Sequence, residues 1–380
     1  MVSNLKIINI LLLISMPTVF FTAQASFQPL LGSDLNNQSL YASGYITMGA
    51  RTTVGGNVQS ATAITLAADV IVGGNVEAGT TVTLGAAAGV DGYIEAGSTA
   101  TLGADATVQE SIQAGTTVTI GATAEIGGDI SGGTTVTVGA GSIARGNIDA
   151  GTTTTIGADV QIGGELTAHS SQVSPPPEVK NQEELITSVQ ETIKAMGTGT
   201  ELVSTTFGTN DETLEAGIYS TINYLSIAIG KTLTLDGKGV DGTWVFNISN
   251  YLSFAADSKV ILKNVTDNSS ILWNVIGDKS GSTGYAQLGA GAEARGYIFT
   301  KGFVQTGADS LIAGIGNDCG GAYSATNFIE FGADSVIGMK GCTNGTAAAS
   351  ALTTVPEPTS IWLLALGLFG LIVIARRKQA

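Results

Sequence analysis

The chain has 380 residues, enough for one large or two ordinary domains. Only 12% are charged while 43% are hydrophobic and 52 are glycine, which excludes a disordered chain and suits closely stacked backbone with little side-chain bulk. A formal net charge of −15 makes nucleic acid a poor partner.

Met1–Ala25 reads as a signal peptide. Lys6 supplies the positive start, "IINILLLISMPTVFF" the apolar stretch, and Ala23-Gln24-Ala25 the small-residue cleavage site. A buried structural strand is the alternative. Residues 26–40 are expected to form an N-terminal cap segment.

Residues 41–168 are repetitive. "EAGTTVTLGAAAGVDGYI" (Glu77 to Ile94) is followed without insertion by altered copies, giving seven 18-residue units from Tyr41 to Leu166. A fixed period of this size is a solenoid signature. One column holds Met48, Leu66, Leu84, Leu102, Ile120, Val138 and Ile156, and another Val58, Val76, Ile94, Ile112, Ile130, Ile148 and Leu166. Within a unit the apolar residues fall in pairs two apart (Val82 and Leu84, Ala88 and Val90, Ile94 and Ala96), each pair six residues after the last. Spacing of two keeps a pair on one face of a strand, so steps of six mean three short strands per turn around a shared axis. Gly79, Gly85 and Gly92 lie between the pairs, where a corner needs unusual dihedrals or has no room for a side chain. The expected fold class is all-β: a three-sided parallel, right-handed β-helix or solenoid, with one long amphipathic helix packed alongside. The repeat block resembles the β-helix of bactofilins. A left-handed hexapeptide helix is the rival, although it wants an aliphatic before each corner, where this chain has Ala96, Ala114 and Ala150.

Around each inward residue stands a pair of Thr: Thr81 and Thr83, Thr99 and Thr101, Thr117 and Thr119, Thr135 and Thr137, Thr153 and Thr155. Alternation sends both members outward, and stacking makes two columns, with rungs about 4.8 Å apart along the rod. In the first two units Tyr45 and Ala63 interrupt one column, while Thr47 and Thr65 keep the other. Each Thr offers a hydroxyl and a methyl held stiffly by β-branching. Such Thr-x-Thr ladders resemble the ice faces of hyperactive antifreeze proteins, and that resemblance implies ice binding by these ten residues. The plain alternative is that Thr suits an exposed strand and that duplication copied it.

Residues 169–200 are read as a linker and helix. Pro175 to Pro177 break the strand pattern, and Leu185, Ile186, Val189, Ile193 and Met196 follow helical spacing. This predicts one amphipathic helix from Glu178 to Met196, lying along the solenoid as a cover.

Residues 201–345 hold short β-rich segments. Leu214-Glu-Ala-Gly-Ile-Tyr219, Leu233-Thr-Leu-Asp-Gly237, Trp244-Val-Phe-Asn-Ile248, Leu272-Trp273-Asn-Val-Ile-Gly277, Gly296-Tyr-Ile-Phe-Thr300 and Gly307-Ala-Asp309 resemble the ice-binding-like family. The likeness runs from about Ser26 to Cys342. It implies an irregular three-sided β-helix flanked by a helix, with ice-binding activity. Seven regular turns depart from that family's short, irregular first segment. Cys319 and Cys342 are the only cysteines, and a disulfide suits an exported chain, two free buried thiols being the alternative.

Residues 346–380 end the chain. Val355-Pro356-Glu357-Pro358, the apolar run Ile361 to Ala375 and then Arg376, Arg377 and Lys378 resemble a PEP-CTERM sorting signal. That likeness implies a transmembrane helix, removal by a membrane-embedded sortase-like protease, and delivery to the surface or exopolysaccharide of a Gram-negative cell. A plain membrane anchor is the alternative. Without both ends the chain keeps 12 basic against 30 acidic residues.

Catalytic chemistry is thin. His169 is the sole histidine, Arg51, Arg145 and Arg295 are scattered, and Asp236, Asp241, Asp257, Asp267, Asp309 and Asp334 are read as turn residues. No enzyme activity, metal or cofactor is expected. The sequence points to an exported ice-binding protein with ice or ordered water as partner. A structural or adhesive rod in extracellular polysaccharide is second, with end-to-end polymerisation as its variant.

Overall fold

The computed structural model describes residues 38–338 apart from 170–172, 174, 177, 204, 209–211, 278–282 and 317–318. The segments read as signal peptide and sorting signal, with Val355 to Pro358 and the apolar run Ile361 to Ala375, lie outside the described residues, as does Cys342. Cys319 is disulfide-bonded.

Three parallel sheets of 14, 13 and 13 strands, here walls A, B and C, enclose one apolar axis. The inward pairs of the repeat are all in the core: Val82, Leu84, Ala88, Val90, Ile94 and Ala96 are each at most 2% exposed. Register is uninterrupted along the block, with Val58 beside Val76, Ile94 beside Val76 and Ile112, and Ile148 beside Leu166. The count of 18 is thereby enforced, because one extra residue would turn the next strand inside out. This is the three-sided parallel β-helix expected from the spacing.

Chain order and spatial order differ. Wall B begins at Thr206–Phe207, climbs to Ile329–Phe331, and continues with Ile46–Met48 up to Thr153–Ile156. The first described strand, Gln38–Ala42, therefore lies in mid-rod, between Gly321–Ser324 and Asn57–Ser60. Thirteen stacked strands at about 4.8 Å make a rod about 60 Å long. The chain winds from mid-rod to one tip at Ala168, returns along the outside, and winds back from the other end.

The return explains the proline run. Seven rungs separate Leu166–Ala168 from Gln38–Ala42 in wall A, about 34 Å. Residues 169–181 number thirteen, and at about 3.1 Å each an extended chain just covers that height. Pro176 passes the corner at Gly115, where an added methyl would lie 3.8 Å from its ring. Asn181 Oδ1 then accepts hydrogen bonds from Tyr41 Oη (3.2 Å) and Ser43 Oγ (2.9 Å).

The helix α1 spans Glu183–Ala195, five residues shorter at its start than the sequence predicts. The preceding stretch is consumed in the return, and the Gln182 N–H is held by Tyr41 Oη at 2.6 Å. It covers wall A of the second half rather than the repeat block. Ile186, Val189 and Ile193 pack on Tyr41, Val245, Leu272, Tyr297, Phe299 and Tyr323, large outward residues of which the repeats keep only Tyr41, in their first unit. Asn274 Nδ2 donates to Gln190 O and to Asn247 Oδ1, both at 2.9 Å, satisfying polar groups under the helix.

Corners come in two kinds. Gly79, Gly85 and Gly92 have ordinary negative φ and are required by lack of room. A Cβ on Gly85 would sit 2.6 Å from the backbone of Ala67 and Ala68. The left-handed positions are occupied mostly by other residues: Arg51, Asp69, Ala87, Asp105, Thr123, Gly141 and Asp159, at φ between +55° and +70°. Asp257, Asp309 and Asp334 hold the same corner in the second half. Asp236, read as a turn residue, instead ends a strand of wall C, where it is buried and accepts from the Lys238 N–H and from Asn264 Nδ2, each at 3.0 Å. These hydrogen bonds hold its pKa down at about 2.

Two predictions follow from the corners. Gly121→Ala puts a methyl 2.5 Å from the Gly103 carbonyl carbon and should cost about 3 kcal/mol in urea unfolding. Gly141→Asp, which places at φ +70° the residue already used at 105 and 159, should be neutral or stabilising by up to about 1 kcal/mol. Asp236 has a folded pKa below its unfolded value of about 3.9, so its contribution is complete above that pH and fades as pH falls towards 2. Asp236→Asn should therefore lower the melting temperature at neutral pH and shallow its decline between pH 4 and 2. An unchanged acid limb would contradict the assignment.

Candidate functional site

Wall A of the second half is covered by α1. Wall B is open along its length, and its strands have the pattern that builds a regular outer face. In Thr81–Leu84, Thr99–Leu102, Thr117–Ile120 and Thr135–Val138 each inward residue is buried and each Thr is half-exposed. At Thr153–Ile156 both Thr are exposed.

The ten predicted Thr come together on this one wall. Thr81, Thr99, Thr117, Thr135 and Thr153 are direct neighbours on successive rungs, as are Thr83, Thr101, Thr119, Thr137 and Thr155. Thr47 and Thr65 extend the second column to seven rungs. None of the ten hydroxyls hydrogen-bonds to protein among the described residues. A third column, at the corner before the wall, behaves differently. Thr80, Thr116, Thr134 and Thr152 donate to the carbonyls of Thr62, Ser98, Thr116 and Thr134 at 2.7–2.8 Å. Those hydroxyls serve the stack, whereas the wall hydroxyls face solvent.

The other walls of the repeats vary. Outward residues on wall A run Gln59, Glu77, Glu95, Gln113, Ser131, Asp149, Thr167. On wall C they run Thr53, Ile71, Gly89, Thr107, Glu125, Ile143, Gln161. On wall A, Tyr93 Oη donates to Glu77 Oε1 at 2.6 Å, and burial together with this bond pushes its pKa up. The Glu95 carboxyl is raised by burial and by Glu77 one rung below.

The sequence reading missed what continues the Thr columns. Below Ala63 the first column becomes an aromatic stack: Tyr45, Phe328, Phe303, Tyr285, Tyr251 and Tyr224. Their ring centroids are 4.8–5.2 Å apart and their planes within 11° of parallel. The second column becomes Glu330, Gln305, Gln287, Ser253 and Ser226. At the seam Tyr45 Oη donates to Glu330 Oε1 at 2.8 Å, a bond that raises the Tyr45 pKa. The signal was present, since an aromatic recurs immediately before the inward residue of wall B, but variable coil lengths hid it. No group of three His, Cys, Asp or Glu suited to a metal occurs among the described residues.

Residues 175–337 match the family model described as Ice-binding-like; the repeat block lies outside the match. Residues 354–378 match the PEP-CTERM protein-sorting motif, which marks the chain for export to the cell surface. Among solved structures, the chain is similar to an ice-binding protein from the Antarctic ascomycete Antarctomyces psychrotrophicus (12% identity, 82% of this chain and 98% of that one, TM-score 0.42). It is also similar to one from an Antarctic biological consortium (13%, 81% and 90%, TM-score 0.42). A third is the DUF3494 domain of Shewanella frigidimarina ice-binding protein 1 (16%, 58% and 92%, TM-score 0.35). No curated protein matches. Among the described residues no helix is long and apolar enough to cross a membrane.

Proposed function

We propose that this is an exported, non-catalytic ice-binding protein whose ice-contacting surface is wall B of the repeat block. The match of residues 175–337 to the Ice-binding-like family model supports the activity. What supports the surface is selectivity among walls. Duplication copies all three alike, yet walls A and C each hold five residue types in seven rungs, while the second column of wall B holds Thr in all seven.

The chemistry follows from the side chain. A hydroxyl can take a place in an ordered water layer, and the adjacent methyl limits how that water turns. Each contact is weak, but a stiff side chain on a fixed ladder has little freedom left to lose, so contacts add. With no charge in either column of the ten Thr, no ionic hydration shell must be removed. On this reading Met1–Ala25 directs export from a Gram-negative cell, a sortase-like protease processes the tail after Val355-Pro356-Glu357-Pro358, and the protein resides at the surface or in the extracellular polysaccharide.

Partition of residues 26–354 into a slowly growing ice front tests the reading. The wild-type chain should enter the ice, and Thr117→Tyr combined with Thr135→Tyr should reduce its incorporation at least tenfold with unchanged circular dichroism. Exclusion of the wild-type chain would sink the ice reading, and retention on extracellular polysaccharide would then favour the adhesive rod. Equal partition of both chains would move the surface to the second half.

A further inference from the structure

The two ends of the rod are finished differently. At the base, Glu212 occupies an inward position of wall C, beside Leu233 of the next coil, so a carboxylate closes that end of the axis. At the tip no charged residue takes an inward place, Thr154 being the one polar residue there. Val136, Val138, Ala144 and Ile148 are fully buried in the penultimate coil. Their successors on the last coil, Thr154, Ile156, Ile162 and Leu166, have nothing above them among the described residues, and Leu166 is 48% exposed. Three strand edges, Thr153–Ile156, Gln161–Ile162 and Leu166–Ala168, end here together, each paired on one side only.

An open apolar coil with unpaired edges is what solenoids normally avoid with a polar capping unit, and unpaired edges invite strand addition. Once both ends are removed as proposed above, the chain's own flanks are too short to supply a cap. Residues 26–37 join the rod at Gln38–Ala42 and residues 339–354 leave it after Val336–Ile337, both in mid-rod. Reaching the tip takes about 34 Å, or roughly 10 extended residues. That leaves far fewer than the 18 a coil requires. A surface that matches three edges arranged in a triangle is another coil of the same period, and among the described residues the tip offers such edges without a charged group on the axis, unlike the base with Glu212.

We propose that the tip docks on the tip of a second copy, forming a closed two-fold dimer in which the two solenoids run on as one rod. The strand Thr153–Ile156 is self-complementary about Thr154. Across the two-fold, Thr154 meets its own copy and Thr153 of one chain lies opposite Thr155 of the other. A contact of this kind uses one patch twice and closes without growing into a filament. The rim carries Asp159 and Glu165 on both copies, so added salt strengthens the pairing. Wall B then continues from one chain into the next, which would double the length of the Thr array. That consequence rests on the ice-binding function proposed above, whereas the dimer rests only on the removal of the two ends.

Sedimentation of residues 26–354 over a hundredfold concentration range, at low and at 0.5 M salt, tests the dimer. The expected result is a doubling of mass, favoured by salt. It should be lost in Leu166→Lys and in Ile162→Lys, with circular dichroism confirming the fold, and kept in Thr117→Tyr. Thr154→Cys should give a covalent dimer on oxidation, a readout independent of folding losses at the edge. A chain monomeric at every concentration, or a Thr154→Cys protein that stays monomeric under oxidant, overturns the proposal. A monomer whose tip amides are protected from hydrogen exchange would overturn it in favour of the chain's own flanks. Ice partition is scored separately, so either idea can fail alone.

Discussion

The whole rod depends on one backbone hydrogen bond made over and over at the corner between walls B and C. There the N–H of a left-handed residue donates to the carbonyl of an alanine one coil above. The series runs Gly230 to Ala256, Asp257 to Ala290, Gly291 to Ala308, Asp309 to Ala333 and Asp334 to Ala50, at 2.8–2.9 Å. It continues from Arg51 to Ala68, Asp69 to Ala86, Ala87 to Ala104, Asp105 to Ala122, Thr123 to Ala140 and Gly141 to Ala158, at 2.8–3.0 Å. Asp334 to Ala50 crosses from the second half to the first, and the Arg51–Asp334 ion pair at 2.6 Å lies over the same seam. Positive φ is costly for most residues, and the neighbouring coils hold it at every level. In the repeat block the corners have no loop to absorb a change, so a residue gained or lost within a strand would shift this bond and the packing below it. Strict length is therefore a consequence of stacking rather than of any single residue.

From that constraint the surface follows. Coils of equal length place equivalent side chains one rung apart, so a residue chosen once for wall B is repeated as a grid. In the second half, coils of unequal length still meet the corner bond, and wall B keeps its two columns with different chemistry. Stacked aromatics stabilise there through ring contact, each pair worth about 0.5–1.5 kcal/mol beyond the area it buries. Thr ladders gain no such contact from their neighbours. Their selection on one wall is accordingly hard to explain by stability, and easier by what that wall touches.

Much of this was legible in the sequence, for physical reasons. Inward pairs two apart every six residues can be satisfied only by short strands around an axis, so Val82 through Ala96 announced three walls. Outward Thr81 and Thr83 follow from alternation alone. What stayed hidden was long-range. Nothing local says that Gln38–Ala42 stacks on Gly321–Ser324, because the paired residues lie about three quarters of the chain apart. Glu178 to Gln182 had helical composition but was claimed by the return to Tyr41. Gly79, Gly85 and Gly92 marked corners correctly, yet the left-handed turn fell to Asp69, Asp105 and Asp159, whose short polar side chains tolerate it. The aromatic stack was missed because its members from Tyr224 to Phe328 are 18 to 34 residues apart with no fixed period, and Tyr45 joins them from the far end of the chain.

The most direct measurement is a high-resolution crystal structure in which the water over wall B is resolved. The account predicts a row of ordered waters between the two Thr columns, one per rung, held by hydroxyls in a single rotamer from Thr81 to Thr155. Thr side chains in mixed rotamers under disordered water would contradict it.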